Sequence, residues 1–136
     1  MSETIQVDIV TPEKKIFSET NILSATVPGV EGDMGILNNH IPIITFLRPG
    51  KIHIQSSNKE NSFFISDGVL EFNNNILTIL ASEIYDIELI DSAILDQLRN
   101  KAKAKAQREG QTDNESYLSS RFQEEVNQLS SSKQNI

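Results

Sequence analysis

The stretch Val27–Gly50, VPGVEGDMGILNNHIPIITFLRPG, decides how the rest of the chain is read. Gly29, Gly32 and Gly35 follow Pro28 at regular spacing, an apolar strand comes next, and Pro49-Gly50 closes the unit. Glycine permits positive φ or close approach of another strand, and proline pre-sets turn geometry, so the spacing predicts a looped connection and not a helix. A phosphate cradle needs a helix N-terminus directly after the glycines. Ile41 to Leu47 follows instead, interrupted by Pro42 and rich in isoleucine, which argues against that chemistry.

On the N-terminal side, Thr4 to Val10 alternates Ile5, Val7 and Ile9 against Gln6 and Asp8, the period of a half-buried strand, and Thr11-Pro12-Glu13 ends it. Lys15 to Glu19 and Ile22 to Val27 read as two further short strands, the second with Leu23, Ala25 and Val27 on one face. On the C-terminal side, Lys51 to Gln55 alternates around Ile52 and Ile54, and Ser56 to Asn61 is a turn by composition. Ser62 to Ser66, Val69 to Phe72 and Ile76 to Ala81 follow, separated by Asp67-Gly68 and by Asn73-Asn74-Asn75. Short strands at even spacing predict an antiparallel β-sandwich. Its expected core is Ile5, Val7, Ile9, Leu23, Ala25, Ile43 or Ile44, Ile52, Ile54, Leu70, Phe72, Ile79 and Leu80.

Near residue 85 the chain changes character. All four prolines and five of the six glycines lie before that point, and only Gly110 lies after it. Asp91 has the position of a helix cap, with Ile90 and Leu95 at the spacing of a hydrophobic staple. Leu95, Leu98, Ala102 and Ala106 make an apolar stripe beside a basic face of Lys101, Lys105 and Arg108, and Gly110 stops the helix. Thr112 and Glu115 form a capping box that opens a second helix, with Leu118, Phe122, Val126 and Leu129 on its stripe and a frayed tail from Ser130 to Ile136. The fold class expected is therefore α+β, a β-sandwich over residues 1–85 followed by an α-helical hairpin over residues 86–136.

Composition narrows the function. With 136 residues, 38% hydrophobic and 23% charged, the chain has room for one globular domain and an appendage. No run approaches the roughly 20 apolar residues of a membrane span, and the N-terminus lacks the basic flank and apolar block of a signal peptide. The absence of cysteine removes disulfides, thiolate-bound metals and thiol nucleophiles together. A formal charge of −7 argues against a nucleic-acid partner, because that function neutralises phosphates with a basic surface. The two histidines, His40 and His53, stand a strand apart, and His53 alternates with Ile52 and Ile54 as a solvent-facing residue does. A metal needs three or four converging ligands, so neither a metal nor a cofactor nor a catalytic residue is expected. A competing class is a small hydrolase or sugar-binding sandwich using Glu31, Asp33 and His40 for acid–base work, although a glycine-rich loop offers little rigidity for it. An adaptor domain with a helical arm is a third.

The pattern VPG..EG..GIL...H.P....L.PG resembles the ε chain of the F-type ATP synthase. Three more phrases follow the family in order: Val10-Thr11-Pro12-Glu13, Ser66-Asp67-Gly68-Val69-Leu70-Glu71, similar to its S-G-G-x-L-E turn and strand, and Ile76-Leu77-Thr78-Ile79-Leu80-Ala81, similar to its V-T-V-L-A strand. Asp67 replaces a glycine, and Asn38-Asn39 stands where the family has Pro-Gly. The resemblance implies a non-catalytic subunit of the rotor stalk, peripheral to the cytoplasmic face of a bacterial plasma membrane. Such a subunit binds the γ subunit and the ring of c subunits, couples proton translocation to ATP synthesis, and inhibits ATP hydrolysis. It also implies that Glu31, Asp33, Asn38 and His40 face the c-ring, and that Lys101, Lys105 and Arg108 meet the α and β subunits in an inhibitory state. Some members bind ATP through an I-D-x-x-R-A phrase. Here Ile90-Asp91 begins that phrase but Ile94 takes the arginine position, which implies weak or absent ATP binding.

Overall fold

The computed structural model describes residues 3–108 and 110–134. The chain divides into two compact units, Met1–Ile87 and Glu88–Ile136. The first is a nine-stranded β-sandwich of β1 (Ile5–Val10), β2 (Lys15–Gly29), β3 (Gly32–Leu37), β4 (Ile43–Leu47), β5 (Gly50–Ser56), β6 (Glu60–Ile65), β7 (Gly68–Asn73), β8 (Ile76–Ala81) and β9 (Ile84–Asp86). The hydrogen-bonded order is β1-β8-β7-β4-β2-β5-β6-β9, with β3 also on β2 and β1 returning to β2. Every pairing is antiparallel except β1 with β8, which is parallel.

β2 organises this arrangement. The sequence pattern predicts two strands with a break near Thr20, yet β2 runs unbroken for 15 residues. Its first part pairs with β1, from Lys15 to Ile22, and its last part pairs with β3, from Ser24 to Gly29. β5 takes the stretch around Ile22–Thr26. The break is a local irregularity and not an end: Asn21 has φ 62°, and the β2–β5 register shifts between Ile22 and Ser24. An extra residue in one strand reverses which face the following side chains occupy. Ile22 is consequently buried together with Ala25 and Val27, and Leu23, expected in the core, is exposed.

Alternation holds elsewhere. Ile5, Val7, Ile9, Ile52, Ile54, Leu70, Phe72 and Ile79 are all buried, joined by Phe63, Ile65 and Leu77. In β8 the inward set is Leu77, Ile79 and Ala81, which puts Leu80, expected in the core, outside. With a period of two, Ile79 and Leu80 cannot share a face. Of the pair Ile43 and Ile44, Ile43 packs on the core and Ile44 is exposed. The Asn73–Ile76 connection is a two-residue turn with φ 52° at Asn74 and 60° at Asn75, the left-handed conformation that a hairpin of this length requires.

In the second unit, a 3-10 turn at Ile87–Leu89 leads into α1 (Ser92–Ala106), and α2 spans Asp113–Gln134. Asp91 caps α1, its Oδ1 accepting from the Ile94 N–H at 2.9 Å, and Ile90 and Leu95 on either side are buried. The capping box of α2 is formed: the Glu115 N–H donates to Thr112 Oγ1 at 3.1 Å, and the Thr112 N–H donates to Glu115 Oε1 at 3.5 Å. Gly110, with φ 73°, lies in the turn between the helices. Leu95, Leu98 and Ala102 of α1 are buried, as are Phe122, Val126 and Leu129 of α2. Ala106, expected on the same stripe, is exposed in the last turn of α1. The expected frayed tail is helical through Gln134, and residues 135–136 lie outside the described residues. Arg99 hydrogen-bonds Ser130 while Lys105 lies over Phe122, so the helices run antiparallel. No described helix is long and apolar enough to cross a membrane.

Candidate partner-binding site

The glycine-rich stretch is a hairpin and not an irregular loop. β2 passes straight through Pro28-Gly29, Gly29 pairs with Gly32, and Val30-Glu31 forms the tip. Two glycines make the turn possible. Gly32 has φ 134°, which side chains other than hydrogen rarely tolerate, and a Cβ on Gly29 would stand 2.7 Å from the Gly32 carbonyl oxygen. The tip is tied to the end of β4, with the Val30 N–H donating to the Phe46 carbonyl at 3.2 Å and the Arg48 N–H to the Pro28 carbonyl at 2.9 Å. Glu31 projects from the tip and is exposed. Asp33 is exposed too, but its Oδ1 accepts from Arg48 Nη2 at 2.6 Å.

Asn38 and His40 lie at the other end of β3, in the connection to β4. At about 3.4 Å per residue, the strand sets Asn38 roughly 17 Å from Asp33. The four residues therefore lie along one edge strand and do not converge. The connection is well anchored: the His40 N–H donates to the Leu37 carbonyl at 3.1 Å, and the Asn39 N–H donates to Asn75 Oδ1 at 2.8 Å. Asn39 has φ 66°, so asparagine supplies here the turn conformation for which glycine is the usual residue. The His40 ring meets Phe72 edge-on, with centroids 5.8 Å apart at 89°, and its Nδ1 lies 2.7 Å from the Ile41 carbonyl oxygen. This geometry does not serve hydrolysis. Glu31, Asp33 and His40 do not converge, Asp33 is paired with Arg48, and no cluster of three His, Asp or Glu side chains suited to a metal occurs among the described residues.

One feature escaped the sequence reasoning. Phe46 on β4, Val69 on β7 and Leu80 on β8 are paired in register across three adjacent strands, and all three are exposed, at 67%, 36% and 47%. Ile44, two residues before Phe46 and on the same face, is exposed as well. Pro12 and Ser82 border a shallow depression beside this ladder. A contiguous apolar row on an otherwise acidic domain is the mark of a surface that meets another protein. Its signal was present in β8, whose sequence ILTILA is apolar on both faces.

The basic residues of the second unit are partly engaged within it. Lys105 Nζ stands 4.0 Å from the centre of the Phe122 ring, a cation–π contact, and Arg108 Nη1 is 3.9 Å from Glu115 Oε2. Lys101 and Lys105 are half-buried and Arg108 is exposed. His53 is exposed on β5, with Nδ1 2.8 Å from Ser62 Oγ. Ile94 is half-buried, and its N–H is held by the cap.

Residues 4–87 match the family described as "ATP synthase, Delta/Epsilon chain, beta-sandwich domain". The chain is 41% identical over 118 residues to the ATP synthase epsilon chain of Pelagibacter ubique (strain HTCC1062), covering 87% of this chain and 91% of the relative. It is 37% identical to the epsilon chain of Pelotomaculum thermopropionicum over 101 residues, 74% of this chain and 75% of that one. Among solved structures it superposes with a TM-score of 0.72 on a chain of the Euglena gracilis mitochondrial ATP synthase, described as OSCP/F1/c-ring. That superposition covers 97% of this chain and 82% of that one at 22% identity, and establishes likeness of fold. A sandwich matched over its whole length, and an epsilon-chain likeness too long to fit within the sandwich alone, lead to one conclusion: the chain belongs to the ATP synthase epsilon chains.

Proposed function

We propose that this subunit works in the central stalk of a proton-driven ATP synthase, on the cytoplasmic face of a bacterial plasma membrane. It binds the γ subunit and the c-ring through its sandwich, couples proton translocation to ATP synthesis, and restrains ATP hydrolysis through its helical hairpin. It is not itself a catalyst. The observation that carries the reading is the exposed ladder of Phe46, Val69 and Leu80, a ready protein-docking surface on a domain of this family. We assign the ladder to γ. Glu31, Asp33, Asn38 and His40, strung along β3 and its ends, form the edge that faces the polar loops of the c-ring.

The hairpin supplies the regulation. Each helix presents only a few large apolar side chains, and isolated helices of this length are marginal in water, so a small preference decides where the hairpin docks. In the inhibitory state Lys101, Lys105 and Arg108 meet acidic segments of the α and β subunits, which requires Lys105 to leave the Phe122 ring. The test is a chain truncated after Ile90 and assembled into the enzyme. Assembly is expected to be intact and ATP hydrolysis raised. Unchanged hydrolysis would show that the hairpin is structural.

A further inference from the structure

We propose that Arg48 is a positioning residue that sets both the shape and the charge of the β2–β3 tip, leaving Glu31 as the one free carboxylate there. The inference rests on the reading of this edge as a contact with the ring. Arg48 follows β4 immediately, and its side chain is only 12% exposed, although the Asp33 side chain it holds is 66% exposed. Its bonds include the backbone N–H to the Pro28 carbonyl at 2.9 Å on β2, Nη2 to Asp33 Oδ1 at 2.6 Å on β3, and Nη1 to the Pro49 carbonyl at 3.3 Å. One residue thus joins both arms of the hairpin to the chain beyond β4, its backbone holding β2 and its side chain holding β3. Gly50 keeps the space open, since a Cβ there would stand 3.1 Å from Arg48 Nη1 and 2.8 Å from Pro28 Cβ.

The electrostatic consequence differs from what the sequence suggests. Glu31 and Asp33, two residues apart on an exposed turn, read as a doubly acidic tip. A guanidinium in contact with Asp33 offsets that charge locally, and arginine does so as a planar hydrogen-bond donor. A partner approaching the tip meets the single uncompensated carboxylate of Glu31, held at a fixed height by a braced turn. The motif that spaces Pro28-Gly29, Gly32-Asp33 and Arg48-Pro49-Gly50 is in this light one structural unit, with Glu31 as its charge outside the ion pair.

Two measurements on the full-length subunit test this. The first is amide hydrogen exchange at Val30–Asp33 in the isolated protein. Arg48→Met and Asp33→Asn are each expected to speed exchange about tenfold, with the double variant no faster than either single, because both remove the same bond. Arg48→Lys should retain part of the protection. The second is the salt dependence of binding to membranes that carry the c-ring and have been stripped of the catalytic head. Glu31→Gln should flatten it, the double variant Asp33→Asn with Arg48→Met, which removes both charges of the pair, should leave its slope unchanged, and Arg48→Met alone, which frees a second carboxylate, should steepen it. A merely structural role for Arg48 would not alter that slope. Additive exchange effects, or equal flattening by Glu31→Gln and by the double variant of Asp33 and Arg48, would overturn the proposal. If the exchange pattern holds while no variant changes membrane binding, the brace stands and the ring contact is refuted.

Discussion

Leu77 and Leu80 lie three residues apart in β8, and replacing each by alanine removes the same atoms from opposite faces of one strand. Leu77 is fully buried, whereas Leu80 is 47% exposed. Truncating a buried leucine costs about 2–5 kcal/mol, from lost transfer energy and the cavity that remains. For a unit of this size each kcal/mol lowers the melting temperature by about 4–8 °C, so Leu77→Ala is expected to melt at least about 8 °C below the parent. Leu80→Ala is a surface change, worth no more than about 0.5 kcal/mol, or about 4 °C. Thermal unfolding followed by circular dichroism in the strand region reads both directly. The two variants should exchange rank in binding to γ, where loss of an anchoring apolar side chain costs Leu80→Ala more than about 1 kcal/mol, roughly fivefold in affinity. Equal depression of the two melting temperatures, or a larger one for Leu80→Ala, would refute the register and the docking surface together.

Gly29→Ala is expected to destabilise the sandwich by about 1–3 kcal/mol, because its Cβ would press on the Gly32 carbonyl oxygen at 2.7 Å. Gly35→Ala, whose Cβ meets nothing nearer than Leu37 Cδ1 at 3.9 Å, should stay within about 0.5 kcal/mol, and chemical denaturation separates the two. Thr112→Ala breaks the reciprocal capping of α2 and should cost about 0.5–2 kcal/mol of hairpin stability, seen as faster amide exchange at Glu115 and Ser116. Equilibrium dialysis should find no micromolar ATP on the isolated subunit, since Ile94 offers no donors for phosphate. Saturable micromolar binding would mean that other residues take the arginine's place.

The parts of this protein that could be read from the chain are those in which local chemistry and final structure agree. Asp91, Thr112 and Glu115 announce two helices because a cap acts within one turn of itself. Ile5, Val7 and Ile9 announce β1 because a clean alternation admits one buried face. What could not be read depends on partners distant in sequence. Leu23 looked inward because nothing local marks the shift at Asn21, whose left-handed conformation is fixed by the crossing of β2 from one set of neighbours to another. Leu80 looked inward because β8 is apolar on both faces, and only the register with β7 and β4 decides which one meets solvent. At the tip, Glu31 and Asp33 are equivalent as letters. They differ through Arg48, 15 residues beyond Asp33, which no spacing rule connects to either.

The single parallel pairing in the sandwich bears on how the chain is made. Val7 lies beside Leu77, 70 positions on, whereas β1 and β2 are joined by a short turn and can zip as soon as both exist. During synthesis at about 5–20 residues per second, the outer edge of β1 therefore waits roughly 4–14 s for the strand that covers it. Throughout that interval the free edge offers a template to any other unfinished copy. Closure comes when Ala81 has left the ribosome, before the helices beyond Asp91 are complete. The last strand of the exposed apolar ladder is also the one that seals the first strand, so a nascent chain gains that surface and its closed edge in the same step.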